Sequence, residues 1–214
     1  MSYAVKEIFL TLQGEGVHAG RRAVFVRFAG CNLWSGLERD RTTAVCQFCD
    51  TDFVGMDGKG GGRFAVATDL ASAAAGTWGS ERESRFVVLT GGEPMLQVDS
   101  ALIDALHAEG FFIAIESNGT LAVPRTIDWI CISPKANSET VQRSGDELKL
   151  VWPQDHSDWK DMQNWDFANL LLQPMDARGD ATASQANLEQ AIGFVQAHPK
   201  WRLSLQNHKI LGLA

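Results

Sequence analysis

Three of the four cysteines fall as Cys31-x14-Cys46-x2-Cys49, with Phe48 directly before the third. Three thiolates can hold three irons of a 4Fe–4S cube and leave the fourth iron open, whereas an electron-carrying ferredoxin closes all four with cysteine. An open iron could bind a small molecule and pass it an electron. The same thiols could instead build a structural zinc site, which takes four protein donors in a closed tetrahedron. His18 or Asp50 would supply the fourth. Ligand preference alone leaves the two readings level. Cys131 lies in the apolar run 129–132 and alternates as in a strand. It is expected as a buried core thiol, because free cysteine packs as a small hydrophobe.

Other polar groups stand where apolar runs give way to loops. Thr90-Gly91-Gly92-Glu93-Pro94 places two glycines at such a junction. Glycine lets backbone N–H and C=O groups approach a ligand closely, although a tight turn would use the same dipeptide. The elements that must position these groups read as short β-rich runs alternating with amphipathic segments. Strands are expected over 23–28, 85–90, 111–116, 129–133, 147–151, 169–172 and 202–206. Helical periods cover 68–78, 100–109 and 187–197, the second closed by Gly110 and the third by His198-Pro199. This βα alternation predicts an α/β fold with a parallel sheet and right-handed crossovers. A closed eight-strand barrel typically needs about 250 residues. The expectation is therefore an open, partial β/α barrel of about six parallel strands, with a flat doubly wound sheet as the rival. In either, function collects at the carboxyl ends of the strands. Arg27, Thr90 to Pro94, Glu116 to Gly119, Ser133 to Lys135, Lys149 and Gln173 to Asp176 all fall at or near those ends, and the cysteine loop follows the first strand directly.

Composition narrows the classes. With 214 residues, 45% of them hydrophobic, the chain suits one domain (1–214) with a sizeable core. A net charge of −7 with scattered basic residues argues against a nucleic-acid binder, which wants a basic stripe. No apolar run reaches the roughly 18 residues of a membrane span, and the opening MSYAVKEIFLTLQGEG lacks the layout of a signal peptide. Four cysteines in a chain this long do not form a secreted disulfide framework, so a cytoplasmic protein with reduced thiols is expected.

Three cysteines with an aromatic before the third, followed after the next strand by Gly-Gly-Glu-Pro, resemble the radical S-adenosylmethionine (SAM) superfamily. The usual spacing there is Cys-x3-Cys-x2-Cys. The fourteen-residue first gap departs from it and is similar to one family, the 7-carboxy-7-deazaguanine synthases of the queuosine pathway. Segments 8–16 (IFLTLQGEG) and 20–30, Cys49-Asp50-Thr51, Glu116-Ser117-Asn118-Gly119, Ser133-Pro134-Lys135 and His208-Lys209 resemble that family too, so the likeness runs along the whole chain.

The resemblance implies that Cys31, Cys46 and Cys49 hold a 4Fe–4S cluster rather than zinc, with SAM on the open iron as a radical source. Phe48, Cys49 and Asp50 would lie beside SAM, and Gly92 would offer backbone groups to its ammonium. Ser133-Pro134-Lys135 and Gln173-Pro174-Met175-Asp176 would hold it from the opposite rim. The implied substrate is 6-carboxy-5,6,7,8-tetrahydropterin, contracted to 7-carboxy-7-deazaguanine with loss of ammonia. A hydrogen would leave C6 and return after rearrangement. Leu12, Gln13, Gly14 and Glu15 would meet the ring edges, and Thr90 and Glu116 its N–H and amino groups. Arg27 would pair with the carboxylate. Because the tail follows a rim strand, it could bring the terminal carboxylate of Ala214 to accept from ring N–H groups, or it could simply cover the open edge of the barrel. Thr51 would give Mg2+ its protein ligand, since Mg2+ keeps waters and is often completed by substrate oxygens. The resemblance also implies an external one-electron donor such as flavodoxin, and a homodimer. Blander readings stand beside these: Arg27 as an inter-strand ion pair, Glu15 as a surface carboxylate, Thr51 as a turn cap. The rival functions are another radical SAM enzyme, such as a glycyl-radical activase, and a non-enzymatic metal-binding interaction module. Residues 32–45 are expected to form a small helical insert on the spacing of Trp34, Leu37 and Arg41. The tail 207–214 is too apolar for a disordered end and is expected to pack.

Overall fold

The structure is a computed structural model that describes residues 2–213. Nine strands form one sheet: β1 (Tyr3–Leu12), β2 (Arg22–Phe28), β3 (Gly62–Phe64), β4 (Phe86–Gly91), β5 (Phe112–Ser117), β6 (Trp129–Ile132), β7 (Ser144–Trp152), β8 (Asp166–Pro174) and β9 (Trp201–Leu203). Their order is β3-β1-β2-β4-β5-β6-β7-β8-β9, so β3 and β9 are open edges and the barrel does not close. From β2 through β4 to β9 every neighbouring pair is parallel. β1 runs antiparallel to β2, and β3 antiparallel to β1. The helices are α1 (Ala67–Trp78), α2 (Ser100–Ala108), α3 (Trp159–Met162), α4 (Ala181–Ala197) and α5 (Asn207–Leu211).

The period of two along each strand sorts side chains between an apolar outer face and a polar lumen. Outward, Val87, Leu89, Ile113, Ile115, Ile130 and Ile132 pack in one core with Leu70 and Ala74 of α1 and Leu102, Ile103 and Leu106 of α2. Leu148, Leu150, Leu170 and Leu172 form a second core with Ala191 of α4 and Trp201. The alternate residues line the lumen. Register makes neighbours of Arg27 and Thr90, of Glu116 and Cys131, and of Cys131 and Glu147. Lys149 follows two residues on, on the same face. One face of the sheet thus collects the ionisable groups because the other face must meet helices. Side-chain caps fix the starts of α2 and α4, Asp99 accepting from Leu102 N at 3.0 Å and Asp180 from Ala183 N at 2.9 Å.

The hairpin loop 13–21 bridges the mouth of the open barrel. Val17 N donates to Glu147 Oε2 (3.0 Å) and Gly16 N to Ser204 Oγ (3.0 Å). Asn207 N at the head of α5 donates to Gly14 O (2.8 Å). One loop therefore ties the β1–β2 side of the sheet to the chain leaving β9.

Several expectations need correction. The ten-residue antiparallel β1 is absent from the strand reading, because YAVKEIFLTL does not alternate cleanly and its burial is mixed. α4 begins at Ala181, six residues earlier than its apolar period, on the Asp180 cap. Among the described residues, no helix links β5 to β6 or β6 to β7. The tail does pack, yet not through its apolar residues: Ile210 and Leu211 are exposed, and polar contacts hold α5 down. No helix among the described residues is long and apolar enough to cross a membrane.

Candidate active site

The cysteine loop leaves the carboxyl end of β2. Its long first gap folds back on itself: Val45 N and Cys46 N both donate to Leu33 O (3.1 and 3.3 Å), which returns the chain to the neighbourhood of Cys31. The gap carries a six-residue 3-10 helix, Glu38–Thr43, none of whose residues is buried. The insert is held by Trp34 instead. Its indole is buried, packs edge-on to Phe53 at 5.6 Å, and lies under the Arg41 guanidinium at 4.0 Å. Arg41 Nη1 in turn donates to Gln47 O (2.8 Å) and Cys49 O (3.0 Å), which orients the Cys46–Cys49 turn.

The three thiols differ. A hydrogen bond from Cys46 lowers the Cys49 thiol to about 6, against burial and with help from the Thr51 N–H. Sharing that proton raises Cys46, and burial raises Cys31. A lowered, partly exposed cysteine is a ready thiolate ligand. His18 cannot join these cysteines. It sits beneath the lumen with its ring on Trp129 (4.3 Å), Phe86 and Phe112, at the amino-terminal ends of the strands. Asp50 is engaged by Lys209 (2.6 Å). Among the described residues, no three His, Cys, Asp or Glu side chains converge on a single ion. A closed zinc tetrahedron needs that convergence, whereas a cube takes one thiolate at each of three irons. The donor set, three cysteines with no fourth partner on the loop, fits the cube.

The loop after β4 seats against this one because Gly91 and Gly92 carry no side chains. Gly91 has φ +131°, and a Cβ there would lie 2.6 Å from Phe28 N. A Cβ on Gly92 would lie 2.5 Å from the Gly30 carbonyl carbon and 2.8 Å from Cys31 Cβ. Gly92 N donates to Phe28 O and Glu93 N to Gly30 O (2.9 Å), so the Gly92 carbonyl is the backbone group it can offer a ligand. Glu93, fully buried, accepts from Ser117 Oγ (2.8 Å), Asn118 N (2.7 Å) and Met95 N (2.9 Å). Burial raises its pKa against those bonds. Asn118 then donates to Asn32 Oδ1 (2.9 Å), next to Cys31. Sequence reasoning gave Glu93 no role; it braces three loops.

Two cavities adjoin at the carboxyl ends of the strands. The first, about 180 Å³, is lined by Cys46, Phe48, Cys49, Gly92, Ser133, Lys135 and the stretch Gln173 to Asp176, among others. Lys135 Nζ donates to Ser133 Oγ (2.7 Å) and lies 6.0 Å from the centre of the Phe48 ring. The second, about 290 Å³, is lined by Leu12, Gln13, Gly14, Arg27 and His208 among others. Glu15, Asp50, Thr51, Thr90, Glu116 and Gln206 line both. The structure thus gathers around these two cavities the residues the sequence singles out as a site, apart from Cys31 and Pro134, which line neither, and Ala214, which lies outside the described residues. Pro134 sits between Ser133 and Lys135, and its carbonyl accepts from Gln154 Nε2 (3.4 Å).

The wall between the cavities is an ionic network. Lys149, 3% exposed, donates to Glu15 Oε2 (2.6 Å) and Glu116 Oε2 (2.7 Å). Burial pulls the ammonium down, but the two carboxylates outweigh it and hold Lys149 well above its ordinary value. Burial likewise opposes ionisation of Glu15, yet Lys149 and Gln206 bring it down to about 2. Gln13 Nε2 donates to Glu116 Oε1 (2.9 Å), and Gln206 Nε2 to Glu15 Oε1 (2.9 Å). Glu15 is therefore no surface carboxylate. Gln13 is committed to bracing Glu116, and the Gly14 carbonyl to α5. Arg27 makes the inter-strand ion pair, Nε to Glu7 Oε1 at 2.8 Å, while also lining the second cavity. Lys149, placed at a strand end by the sequence without a task, is the centre of this network. The signal was present: Glu147-x-Lys149 repeats at the strand period on the face that carries Glu116.

α5 closes the far side. Lys209 bridges Asp50 of the cysteine loop (2.6 Å) and Asp176 after β8 (2.5 Å). The Lys209 ammonium holds the Asp176 carboxyl below the usual range. Cys131 is buried as expected, but in the polar lumen, where Sγ donates to Glu147 Oε1 at 3.5 Å and burial raises its pKa well above the ordinary value.

An open β/α barrel with three cysteines on the loop after its first parallel strand is a fold of the radical SAM type. No protein-family model matches the chain. Curated relatives do: 7-carboxy-7-deazaguanine synthases of Bradyrhizobium diazoefficiens (60% identical), Caulobacter vibrioides (57%) and Burkholderia multivorans (57%), each aligned over 213 residues and all of both chains. The crystal structure of QueE from Escherichia coli superposes with a TM-score of 0.72 at 27% identity, covering 97% of this chain and 95% of that one. The chain belongs to the 7-carboxy-7-deazaguanine synthase family.

Proposed function

We propose that the chain contracts 6-carboxy-5,6,7,8-tetrahydropterin to 7-carboxy-7-deazaguanine with release of ammonia, a step toward queuosine and other 7-deazapurines. The observation that carries this reading is the pair of adjoining cavities with a common wall, one backed by the cysteine loop and the other by the acceptor-rich lumen. In it, Cys31, Cys46 and Cys49 hold a 4Fe–4S cluster, and SAM fills the first cavity. The bound pair supplies a hydrogen-abstracting radical, and the protein's part is to position and protect. Phe48 flanks the adenine, the Gly92 carbonyl takes the ammonium, and Ser133, Lys135 and residues 173–176 fix the remainder.

The pterin fills the second cavity. Glu15 and Glu116 accept from its N–H edge, Thr90 adds a hydroxyl, and Arg27 shares its guanidinium between Glu7 and the substrate carboxylate. Thr51, held beside Cys49 by its own N–H, lends a hydroxyl to Mg2+. His208, packed so closely on Gly14 that a Cβ there would lie 2.7 Å from its Cγ, walls the cavity off from water. Excluding water protects a reactive intermediate from side reactions. We take the electron to come from an external donor such as flavodoxin and the working unit to be a cytoplasmic homodimer.

The test is anaerobic reconstitution with iron and sulfide, then SAM, reductant, Mg2+ and the carboxypterin, with products followed by mass. Formation of 7-carboxy-7-deazaguanine supports the reading. SAM cleavage that ignores the pterin would point to another radical SAM activity such as a glycyl-radical activase. An absence of SAM cleavage would point to a metal-binding module.

A further inference from the structure

Lys149 lines the first cavity, its partners Glu15 and Glu116 line both, and its surroundings are unbalanced. A purely structural buried ion pair matches its charges, because uncompensated charge out of water is costly. Here one ammonium faces two carboxylates, Glu15 from the hairpin loop and Glu116 from β5. Glu147, 3% exposed, adds a third two residues before Lys149, its oxygens accepting from Val17 N and the Cys131 thiol. The other titratable group facing Glu15 is His208 of α5. Arg27, the nearest lumen arginine along β2, already pairs with Glu7. The excess negative charge is directed at the cavities, since Glu15 and Glu116 line both. Each of their four oxygens accepts one hydrogen bond here, from Lys149, Gln13 or Gln206. An ionised carboxylate has about four lone-pair sites, so each carboxylate retains acceptor capacity.

We propose that Lys149 is a specificity-determining positioning residue: clamped between Glu15 and Glu116, it presents both carboxylates as fixed acceptors for the donor edge of a flat, N–H-rich heterocycle. The lysine itself need not touch the ligand. It lets two carboxylates stand side by side without a proton between them. Carboxylates forced together without such a cation share a proton, and one of them becomes a donor. That change would invert half of the recognition pattern, because a protonated carboxyl donates where the ligand also donates. The inference rests on the second cavity being the pterin site.

The experiment compares the parent protein with Lys149→Met, and follows two readouts. In the absence of ligand, carbon-13 carboxyl titration, assigned with Glu15→Gln and Glu116→Gln, should find neither carboxyl of the parent protonating above pH 5. In Lys149→Met one of them should protonate between pH 6 and 9. With 6-carboxy-5,6,7,8-tetrahydropterin, the Kd of Lys149→Met should exceed the parent's at least tenfold at pH 6.5 and fall back toward it by pH 9. Lys149→Met carrying Glu116→Gln removes one charge of each sign and the like-charge pair with it. It guards against failure of the single variant to fold, and its pterin Kd should be weak at every pH. Carboxyls that stay ionised in Lys149→Met, or Kd profiles that superimpose on the parent's, would overturn the proposal. So would parent-like affinity in the double variant. A parent that ignores the pterin would sink the functional reading alone, because the ligand-free titration still decides what Lys149 does.

Discussion

Gly92→Ala offers a sharp test of how the cysteine loop is seated. The added methyl would lie 2.5 Å from the Gly30 carbonyl carbon and 2.8 Å from Cys31 Cβ, and the Gly30 atom is backbone, so no side chain can swing aside. Ordinary contact begins at 3.4 Å and the Gly30 carbonyl oxygen lies closer still, so the two loops must separate by more than 1 Å. That separation strains the Glu93 N to Gly30 O bond of 2.9 Å and moves Cys31 relative to the Gly92 carbonyl. Overpacking of this kind costs about 1–3 kcal/mol, so the protein should still fold. A misplacement of about 1 Å at a reacting centre costs on the order of a hundredfold in rate. SAM cleavage per bound cluster should therefore fall about a hundredfold, while the urea midpoint drops modestly. Gly193→Ala is the control. It lies inside α4 with nothing within 4 Å of the new Cβ, and replacing an interior helical glycine should stabilise by about 0.5–1 kcal/mol without touching activity. A Gly92→Ala protein with parental iron content and turnover within threefold of the parent would show that the close approach is not what seats the cluster loop.

Further outcomes follow from the same geometry. Alanine at Cys31, Cys46 or Cys49 should abolish SAM cleavage and iron retention, whereas Cys131→Ala should retain both. Loss of the cluster in Cys131→Ala with retention in Cys31→Ala would reverse the ligand assignment. Thr51→Ala should lower turnover and blunt the Mg2+ response while SAM still binds, and equal Mg2+ stimulation of mutant and parent would reject the metal role. The Glu15 carboxyl is held at about 2 against an ordinary 4.5, so its stabilisation is present above pH 4.5 and is lost as pH falls through about 2. Over that window Glu15→Gln should lose stability less steeply than the parent, and parallel acid-unfolding curves would show that the triad is not ionised.

Much of this was legible because strands and site share one period. Every polar residue marked at a strand end, from Arg27 to Gln173, lies on the lumen side or at the rim. The apolar residues between them had to face helices. The cysteine loop was readable from spacing and resemblance together. What escaped was long-range pairing. β1 hides its alternation because both its faces are partly covered, and the α5 contacts depend on Lys209 meeting Asp50 and Asp176, partners far away in sequence. Lys149 was marked at a strand end, but its partners were not legible, because the hairpin loop must be known to cross the lumen before Glu15 can be placed beside it. Arg27 shows the opposite case, where the plain inter-strand pair and the cavity position coexist.

The hairpin loop that bridges the open barrel also dictates when the site comes into being. Its partners Ser204 and Gln206 stand 188 and 191 residues away from Gly16 and Glu15. Contacts so distant in sequence form late, because loop closure must precede any reward from them. As the chain emerges from the ribosome, the cysteine loop is made early, and β2 can pair with β4 long before β9 exists. Until residues 204–209 arrive, the lumen is unroofed and Glu15 has no fixed place. A cluster inserted into such an intermediate would stand open to water and oxidants. Maturation should accordingly favour chains that have already completed their last strand, and variants that loosen the Gly14–Asn207 or Gly16–Ser204 contacts should yield protein that folds its sheet normally yet recovers iron poorly.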